Sequence, residues 1–188
     1  MMAKRRPARF NTAKMEQGVF LLLQGMGIDV ENDNYKETPK RVSRLYQEML
    51  SPTPSNWKTF PTSYRGAVLL RNHEVVGLCP HHLQPVPMRV HIAYIPKKKA
   101  LGLSKLARAV EERLSMPVLQ EQLTQDVADA IEAHLEPIGC CVIITGRHGC
   151  MQFRGIRSDA DVVTSAMRGA FFVDSKAREE IMMLIGRP

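Results

Sequence analysis

Two short stretches of the sequence carry cysteine and histidine, whose side chains bind transition metals and move protons near neutral pH. In residues 77–83, Cys79 and His82 stand three residues apart, so one turn could direct both at a single ion. In residues 147–150, Cys150 could supply a third ligand from far along the chain. Three protein ligands leave one tetrahedral position open, as in catalytic zinc sites. The two stretches together predict a catalytic zinc centre.

Two further histidines stand beside these candidate ligands. His81 is adjacent to His82, and His148 is two residues from Cys150. A general acid or base is expected in such positions, because imidazole titrates near neutral pH without assistance. The residues alone also allow an ordinary explanation, in which the cysteines are small buried hydrophobic residues and the histidine pair is a polar turn. Structural zinc fingers are disfavoured because the sequence has no second pair of ligands. Zinc deaminases are disfavoured because the sequence lacks their Pro-Cys-x-x-Cys motif.

Length and composition indicate a globular protein. With 188 residues, 44% hydrophobic and 24% charged, the chain has the size and composition of one globular domain. We expect residues 1–11 to be a flexible basic tail and residues 12–188 to form a single domain, with a helical part at 12–60 and a core at 61–188. No apolar run approaches the roughly 20 residues that span a bilayer, so no membrane partner is predicted. The expected location is the cytoplasm, where cysteines stay reduced.

The net charge of +7 raises the question of nucleic acid as a partner. Much of this charge lies in the basic tail and in residues 97–99, which look like a solvated turn. Aromatic residues make up only 6% of the chain, and no stacking platform for bases is visible. A small polyphosphate substrate explains the other basic residues equally well. Nucleic acid is therefore not a predicted partner.

The hydrophobic pattern predicts helices first, then a sheet. Residues 12–24 have helical periodicity, and Thr38 is the expected N-cap of a second helix with Pro39 at its first position. Residues 51–62 hold three prolines and are expected to be a loop.

The rest of the chain alternates between predicted strands and helices. We expect strands at 67–70, 74–78, 86–95, 140–145 and 151–155, and helices at 103–114, at 118–136 and after Asp174. Cys140 and Cys141 should face opposite sides of a strand as core residues, and His91 should be a packing or surface residue. This order predicts an α+β fold, an antiparallel sheet with helices packed on one face.

Five separated motifs occur along the chain, and the order in which they occur is informative. They are Cys79-Pro80-His81-His82, Tyr94-Ile95-Pro96, Gly102-Leu103-Ser104-Lys105-Leu106, Leu119-Gln120-Glu121-Gln122-Leu123-Thr124, and His148-Gly149-Cys150 followed by Arg154-Gly155. On these motifs the sequence resembles the GTP cyclohydrolase I family, from about residue 38 to residue 185. Five motifs in register are far more specific than any one of them.

The resemblance implies a fold, a reaction and an assembly. The fold is the tunnelling fold, a four-stranded antiparallel sheet with two long helices on one face and N-terminal helices before it. Subunits of such proteins join edge to edge into an oligomeric barrel, and two pentamers stack into a homodecamer, which closes exposed sheet edges. The reaction converts GTP and water to 7,8-dihydroneopterin triphosphate and formate. The substrate partner implied is GTP, and the cofactor is Zn²⁺.

The resemblance also implies roles for single residues. Zinc, held by Cys79, His82 and Cys150, would lower the pKa of bound water, and the resulting hydroxide would attack C8 of guanine. His81 would protonate N7 of the guanine, and His148 would act on the ribose. The substrate would be bound as follows: guanine by Glu121, ribose hydroxyls by Gln120 and Ser104, and the triphosphate by Lys105, Arg108, Arg154 and Arg41, the last reaching in from a neighbouring subunit.

The sequence departs from the family pattern at Pro80, where the family has glutamate. Proline restricts the residue before it, so Cys79 is expected to be extended, and any hydrogen bond from that glutamate to the metal site is lost. Residues 157–164 and 51–67 also look shorter than is usual in the family.

Two other functions are consistent with parts of the pattern. Another tunnelling-fold enzyme, such as a pterin aldolase or a nitrile reductase for a deazaguanine, would share Glu121 but lacks the paired cysteine and histidine motifs. A non-catalytic, zinc-stabilised binding protein would have a closed metal site. The sequence leaves open whether folate, biopterin or a deazaguanine nucleoside is made from the product.

Overall fold

A computed structural model of the protein describes residues 10–186, which divide into two compact units, one up to Pro52 and one from Thr53. Most of the predicted basic tail, residues 1–9, lies outside the described residues. The N-terminal unit contains the two predicted helices, α1 (Thr12–Gly25) and α2 (Thr38–Met49). The Asn11 side chain caps α1 by accepting a hydrogen bond from the Lys14 N–H at 3.0 Å. The predicted N-cap of α2 is wrong by one residue, because Glu37 occupies that position without a side-chain cap.

The C-terminal unit contains the remaining elements. Its strands are β1 (Thr59–Pro61), β2 (Val68–Leu78), β3 (Pro85–Ile95), β4 (Lys99–Leu101), β5 (Gly139–Gly146) and β6 (Val162–Gly169). Its helices are α3 (Leu103–Glu111), continued by a 3-10 turn at Glu112–Leu114, then α4 (Gln120–Leu135), α5 (Gly149–Gln152), α6 (Ala170–Val173) and α7 (Ser175–Gly186). Four strands form an antiparallel sheet in the order β2-β3-β5-β6, and β1 pairs with β4. The predicted α+β architecture is confirmed.

The two faces of the four-stranded sheet pack against different helices. On one face, side chains of β3 and β5 form the main core with α3 and α4, and its largest members include Ile92, Tyr94, Ile144, Leu106, Leu123 and Ile131. On the other face, Ala93, Cys141 and Ile143 pack against Phe171 and Ile181, from α6 and α7. The two long helices therefore share one face, as expected, and a second, smaller layer covers part of the other.

Two predicted core positions behave as expected. Cys140 and Cys141 are buried on opposite faces, and burial raises the pKa of these thiols to about 12 and about 11. His91 is a packing residue whose Nδ1 accepts a hydrogen bond from the Asn72 N–H at 3.4 Å. Burial, with help from Arg89 and Arg71, lowers the pKa of His91.

The structure corrects three strand predictions. Residues 151–155 are not a strand; part of this segment is the short helix α5, and the fourth strand is β6. The proline-containing loop predicted at 51–62 includes β1, which tolerates Pro61 because it is the last residue of an edge strand. The two segments predicted at 67–70 and 74–78 are one strand, β2, interrupted by a bulge between Leu70 and His73. Within residues 10–186, no helix has both the length and the apolar character needed to cross a membrane.

Candidate metal centre

The sheet topology places the two cysteine- and histidine-bearing stretches at the same end of the sheet. The first stretch forms the turn between β2 and β3, where Leu78 pairs with Pro85. The second follows β5, which runs antiparallel to β3 so that its last residue, Gly146, pairs with Met88. The Arg147 N–H then donates to the Pro87 carbonyl at 3.0 Å. Segments about 70 residues apart in sequence therefore meet because β3 and β5 are neighbours.

The turn after β2 is closed by its own backbone. The Leu83 N–H donates to the Cys79 carbonyl, and the Cys79 N–H donates to the Gln84 carbonyl, both at 2.9 Å. Leu83 adopts a left-handed conformation with φ of 53°, which lets the chain reverse into β3. This turn holds the Cys79 sulfur 3.8 Å from Nδ1 of His82.

Three potential ligand atoms converge at this end of the sheet. The sulfur atoms of Cys79 and Cys150 and a ring nitrogen of His82 all lie within 4.8 Å of one another. Around a tetrahedral zinc with ordinary bond lengths, such atoms are separated by about 3.6–3.8 Å. The three side chains therefore need to move by only about an ångström to share one ion. Two sulfurs and an imidazole suit zinc better than magnesium or calcium, which prefer oxygen ligands.

The Cys79 thiol affects the protonation of Cys150. Partial burial and the neighbouring Cys79 raise the pKa of Cys150 above its ordinary value. A divalent cation has the opposite effect, because it stabilises the thiolates and replaces their protons. The donor set therefore fits a metal ion, and its affinity for that ion should fall in acid.

His82 also contacts a cationic side chain. The Arg154 guanidinium lies 2.7 Å from Nε2 of His82, on the side of the ring opposite the cysteines. A guanidinium can only donate, so Nε2 accepts and the proton of the neutral ring lies on Nδ1. Metal binding through Nδ1 requires the opposite tautomer, because Nδ1 then needs its lone pair. The hydrogen bond from Arg154 and a metal bond through Nδ1 thus exclude each other.

The two candidate acid–base histidines lie beside the ligand cluster. His81 is exposed in the turn, with its ring edge-on to that of His82 and the centroids 6.3 Å apart. His148 is half-buried just before α5, and its Nε2 lies 2.9 Å from Oε1 of Gln120. Both rings therefore line the same end of the sheet as the three ligands.

The start of α4 reaches the same place. The Val118 N–H donates to the Leu78 carbonyl at 3.1 Å, which fixes the approach to α4 at the end of β2. Glu121 is exposed in the first turn of α4, next to Gln120. A carboxylate there is also favourable for the helix dipole, whatever it binds.

Gln120 is held by hydrogen bonds within the protein. It is only 3% exposed, and its Nε2 lies within 3.2 Å of the carbonyls of Ile144 and Val162 and the hydroxyl of Thr164. These protein acceptors use both amide hydrogens, so the amide has no hydrogen left for a ribose hydroxyl.

The other predicted substrate ligands lie on α3 and α2. Ser104 and Lys105 lie in the first turn of α3, just after Leu101, whose N–H donates to the Tyr94 hydroxyl. The segment that follows α3 ends at Leu114, which packs close to Gly77 beside the cluster. Arg108 lies one turn further along α3. Arg41 lies on α2, in the N-terminal unit.

The sequence analysis missed three residues that support the site. Thr124 and Thr164 extend the hydrogen bonds of Gln120, and Gly146 leaves space for the Gln120 amide. β6, the strand that carries Thr164, was not recognised from the sequence.

The chain was compared with known proteins. The family model described as GTP cyclohydrolase I matches residues 15–186. A protein named GTP cyclohydrolase 1 from Rhodopirellula baltica is 43% identical over 181 residues, which are 93% of this chain and 79% of that protein. Another of the same name, from Aquifex aeolicus, is 43% identical over 175 residues, covering 92% of this chain and 95% of the relative. Among solved structures, an archaeosine synthase QueF-Like in the apo form matches 55% of this chain and 96% of that chain, with 19% identity and a TM-score of 0.46.

Proposed function

The chain belongs to the GTP cyclohydrolase I family, and we propose that it converts GTP and water to 7,8-dihydroneopterin triphosphate and formate. The observation that carries the proposal is the cluster of Cys79, His82 and Cys150, whose ligand atoms lie within 4.8 Å of one another beside two histidines. Family membership and this cluster point to the same chemistry from independent directions.

The metal ion of the proposal is zinc. Its ligands are Cys79, His82 and Cys150, a set that leaves one tetrahedral position open. When bound, zinc supplies the Lewis acidity that makes water nucleophilic at neutral pH. The soft sulfur donors and the separations between the three ligand atoms support this assignment.

The two histidines divide the proton transfers. His81 is exposed next to a ligand and donates a proton to N7 of the guanine, which makes C8 more electrophilic. His148 protonates the ribose ring oxygen and assists the rearrangement that closes the pterin ring. Glu121, exposed in the first turn of α4, accepts hydrogen bonds from N1–H and the 2-amino group of guanine. A purine without that amino group would leave the carboxylate unpaired and bind poorly.

We propose that a complete site takes residues from a second copy of the chain. Ser104, Lys105 and Arg108, on α3, are the proposed ribose and triphosphate ligands. Arg154 lies at the cluster itself, and Arg41 is proposed to come from a neighbouring subunit. Within the described chain, β2 and β6 are the edge strands of the four-stranded sheet. Both edges are therefore available for pairing with other subunits. We therefore propose a homo-oligomer, a decamer of two pentamers, whose sites are shared between subunits.

The proposed location is the cytoplasm. All four cysteines are free thiols, which suits a reducing compartment and leaves Cys79 and Cys150 available for metal.

The proposal is tested by incubating zinc-loaded protein with GTP. We expect stoichiometric formate and a pterin that fluoresces after oxidation, both abolished by a strong chelator and restored by added zinc. Absence of formate with GTP would contradict the proposal.

Two variants assign the roles of individual residues. Cys150→Ala should lose the metal, because only two ligands remain. His148→Ala should retain zinc and bind GTP but form no pterin. Zinc binding by the Cys150 variant at wild-type affinity would show that the ligand set is wrong.

A further inference from the structure

A closed ring of hydrogen bonds surrounds the buried amide of Gln120. The Thr124 hydroxyl donates to the Gln120 carbonyl at 2.7 Å, so its own proton is used. The Thr164 hydroxyl, 2.6 Å from that of Thr124, must therefore be the donor in this pair. The remaining lone pair of Thr164 accepts from Nε2 of Gln120 at 3.2 Å. Each hydroxyl in the ring consequently has only one possible direction.

This ring and two carbonyls fix the orientation of the amide. The Ile144 and Val162 carbonyls lie 3.0 and 2.9 Å from Nε2 of Gln120, and a carbonyl can only accept. The NH₂ group must therefore face the strands β5 and β6. A flipped amide would place its oxygen against two carbonyl oxygens, where no hydrogen bond can form. Oε1 is thus directed at His148.

The fixed oxygen determines the tautomer of His148. Its Nε2 lies 2.9 Å from Oε1 of Gln120, and an amide oxygen only accepts hydrogen bonds. Nε2 must therefore carry a hydrogen, whichever charge state the ring has. The other nitrogen, Nδ1, is the one left to exchange a proton with a bound molecule.

Gly146 provides a second, independent observation. A Cβ added at this position would collide with Oε1 of Gln120 and would also lie 3.2 Å from the amide carbon. Glycine at the end of β5 therefore gives the amide the space to reach His148. The backbone, the hydroxyl ring and the strand carbonyls all support one placement of the amide group.

We propose that Gln120 is a positioning residue that holds His148 in its Nε2–H form and presents Nδ1 to the substrate. The inference rests on the proposed function, in which His148 transfers protons at the ribose. It is an alternative to the direct ribose contact that the family resemblance implies for Gln120. The residues that hold the amide would then indirectly support proton transfer by His148. They are Thr124, Ile144, Gly146, Val162 and Thr164.

The tautomer can be read directly by ¹⁵N NMR of zinc-loaded protein labelled at histidine, sedimented for solid-state measurement. The His148 signals are assigned by their loss in His148→Asn. In the wild type we expect a protonated Nε2 and an unprotonated Nδ1 in the neutral ring. A neutral ring protonated at Nδ1, or an equal mixture of the two forms, would overturn the proposal.

Two variants test the link to Gln120. Gln120→Leu removes the amide, and Gly146→Ala displaces it without removing any polar group. Both should show mixed His148 tautomers and a kcat reduced at least about tenfold, with KM for GTP changed less than about twofold. A raised KM with unchanged kcat would instead identify Gln120 as a substrate ligand and contradict the inference. If Gln120→Leu fails to fold, the Gly146→Ala variant and the wild-type spectrum still test the inference about the His148 tautomer.

The matched control is Gln122→Leu. Gln122 is exposed on the same helix and contacts Asp126 instead of the site. Neither the His148 spectrum nor the kinetic constants should change. A wild-type protein that does not turn over GTP would refute the proposed function, whereas the NMR spectrum would still report on the tautomer.

Discussion

At the scale of single residues, His82 has two partners that compete for its ring protonation. Nδ1 faces the Cys79 sulfur at 3.8 Å, and Nε2 accepts from Arg154 at 2.7 Å. Because a neutral imidazole has one proton, the arginine favours the tautomer that cannot bind metal through Nδ1. A metal bound through Nδ1 would therefore separate Arg154 from Nε2 and leave its guanidinium available for a phosphate group.

Removing Arg154 should affect metal and substrate in opposite directions. In Arg154→Ala, we expect zinc to bind a few-fold more tightly, because nothing opposes the Nε2–H tautomer of His82, and KM for GTP to rise about tenfold or more. Competition with a chromophoric chelator measures the first effect and steady-state kinetics the second. Arg157→Asn is the control, because Arg157 lies in the same loop with φ of 50°, which asparagine tolerates. Weaker zinc binding by Arg154→Ala would contradict this account.

At the scale of elements, close backbone contacts hold β5 and β6 together at the end of the sheet opposite the site. Gly139 pairs with Gly169, whose φ is 55°. A Cβ at Gly169 would collide with the Ile138 carbonyl, which accepts from the Ala170 N–H at 3.0 Å. Only glycine allows β6 to turn directly into α6 while remaining in register with β5.

Gly169→Ala should therefore destabilise the protein. We expect a cost of about 2–4 kcal/mol, which lowers Tm of the zinc-loaded protein by about 5 °C or more. Gly18→Ala is the comparison, because a Cβ there meets no atom within 4 Å and the helical backbone of α1 favours alanine. Equal Tm values for the two variants would argue against strain at Gly169.

The same elements show what the sequence could predict. β3 and β5 were recognised because their buried positions produce clear hydrophobic runs, and α3 and α4 because their apolar positions repeat every three or four residues. β6 was missed because it is an edge strand in which only Ala166 is buried, so tertiary pairing decides its conformation. The clustering of Cys79, His82 and Cys150 was predictable from motif residues. The Gln120 ring was not, because it joins Thr124 and Thr164, which stand 40 residues apart.

At the scale of the whole molecule, we propose that Lys105 on α3 and the metal cluster of a shared site come from different subunits. A shared site predicts that two inactive variants restore each other. Lys105→Ala lacks a triphosphate ligand and Cys150→Ala lacks the metal, yet mixed oligomers of the two should contain intact sites. Random mixing of subunits would give about a quarter of the wild-type number.

The measurement is formate release by the co-expressed and co-purified variants. Cys150→Ala mixed with His82→Ala is the control and should stay inactive, because both substitutions damage the cluster that a single chain supplies. Lack of activity in the Lys105 and Cys150 mixture would show that each chain builds its site alone.

The burial of Cys79 would give a bound metal ion a structural role as well. Cys79 belongs to the main hydrophobic cluster, and Cys150 packs against it from a segment that begins only after β5. An ion bound to both would stabilise the folded protein, because the unfolded chain does not hold these two ligands together. A shortage of zinc would then lower the cellular amount of this protein as well as its specific activity. The reason is that the metal-free protein unfolds more readily and is then accessible to proteases.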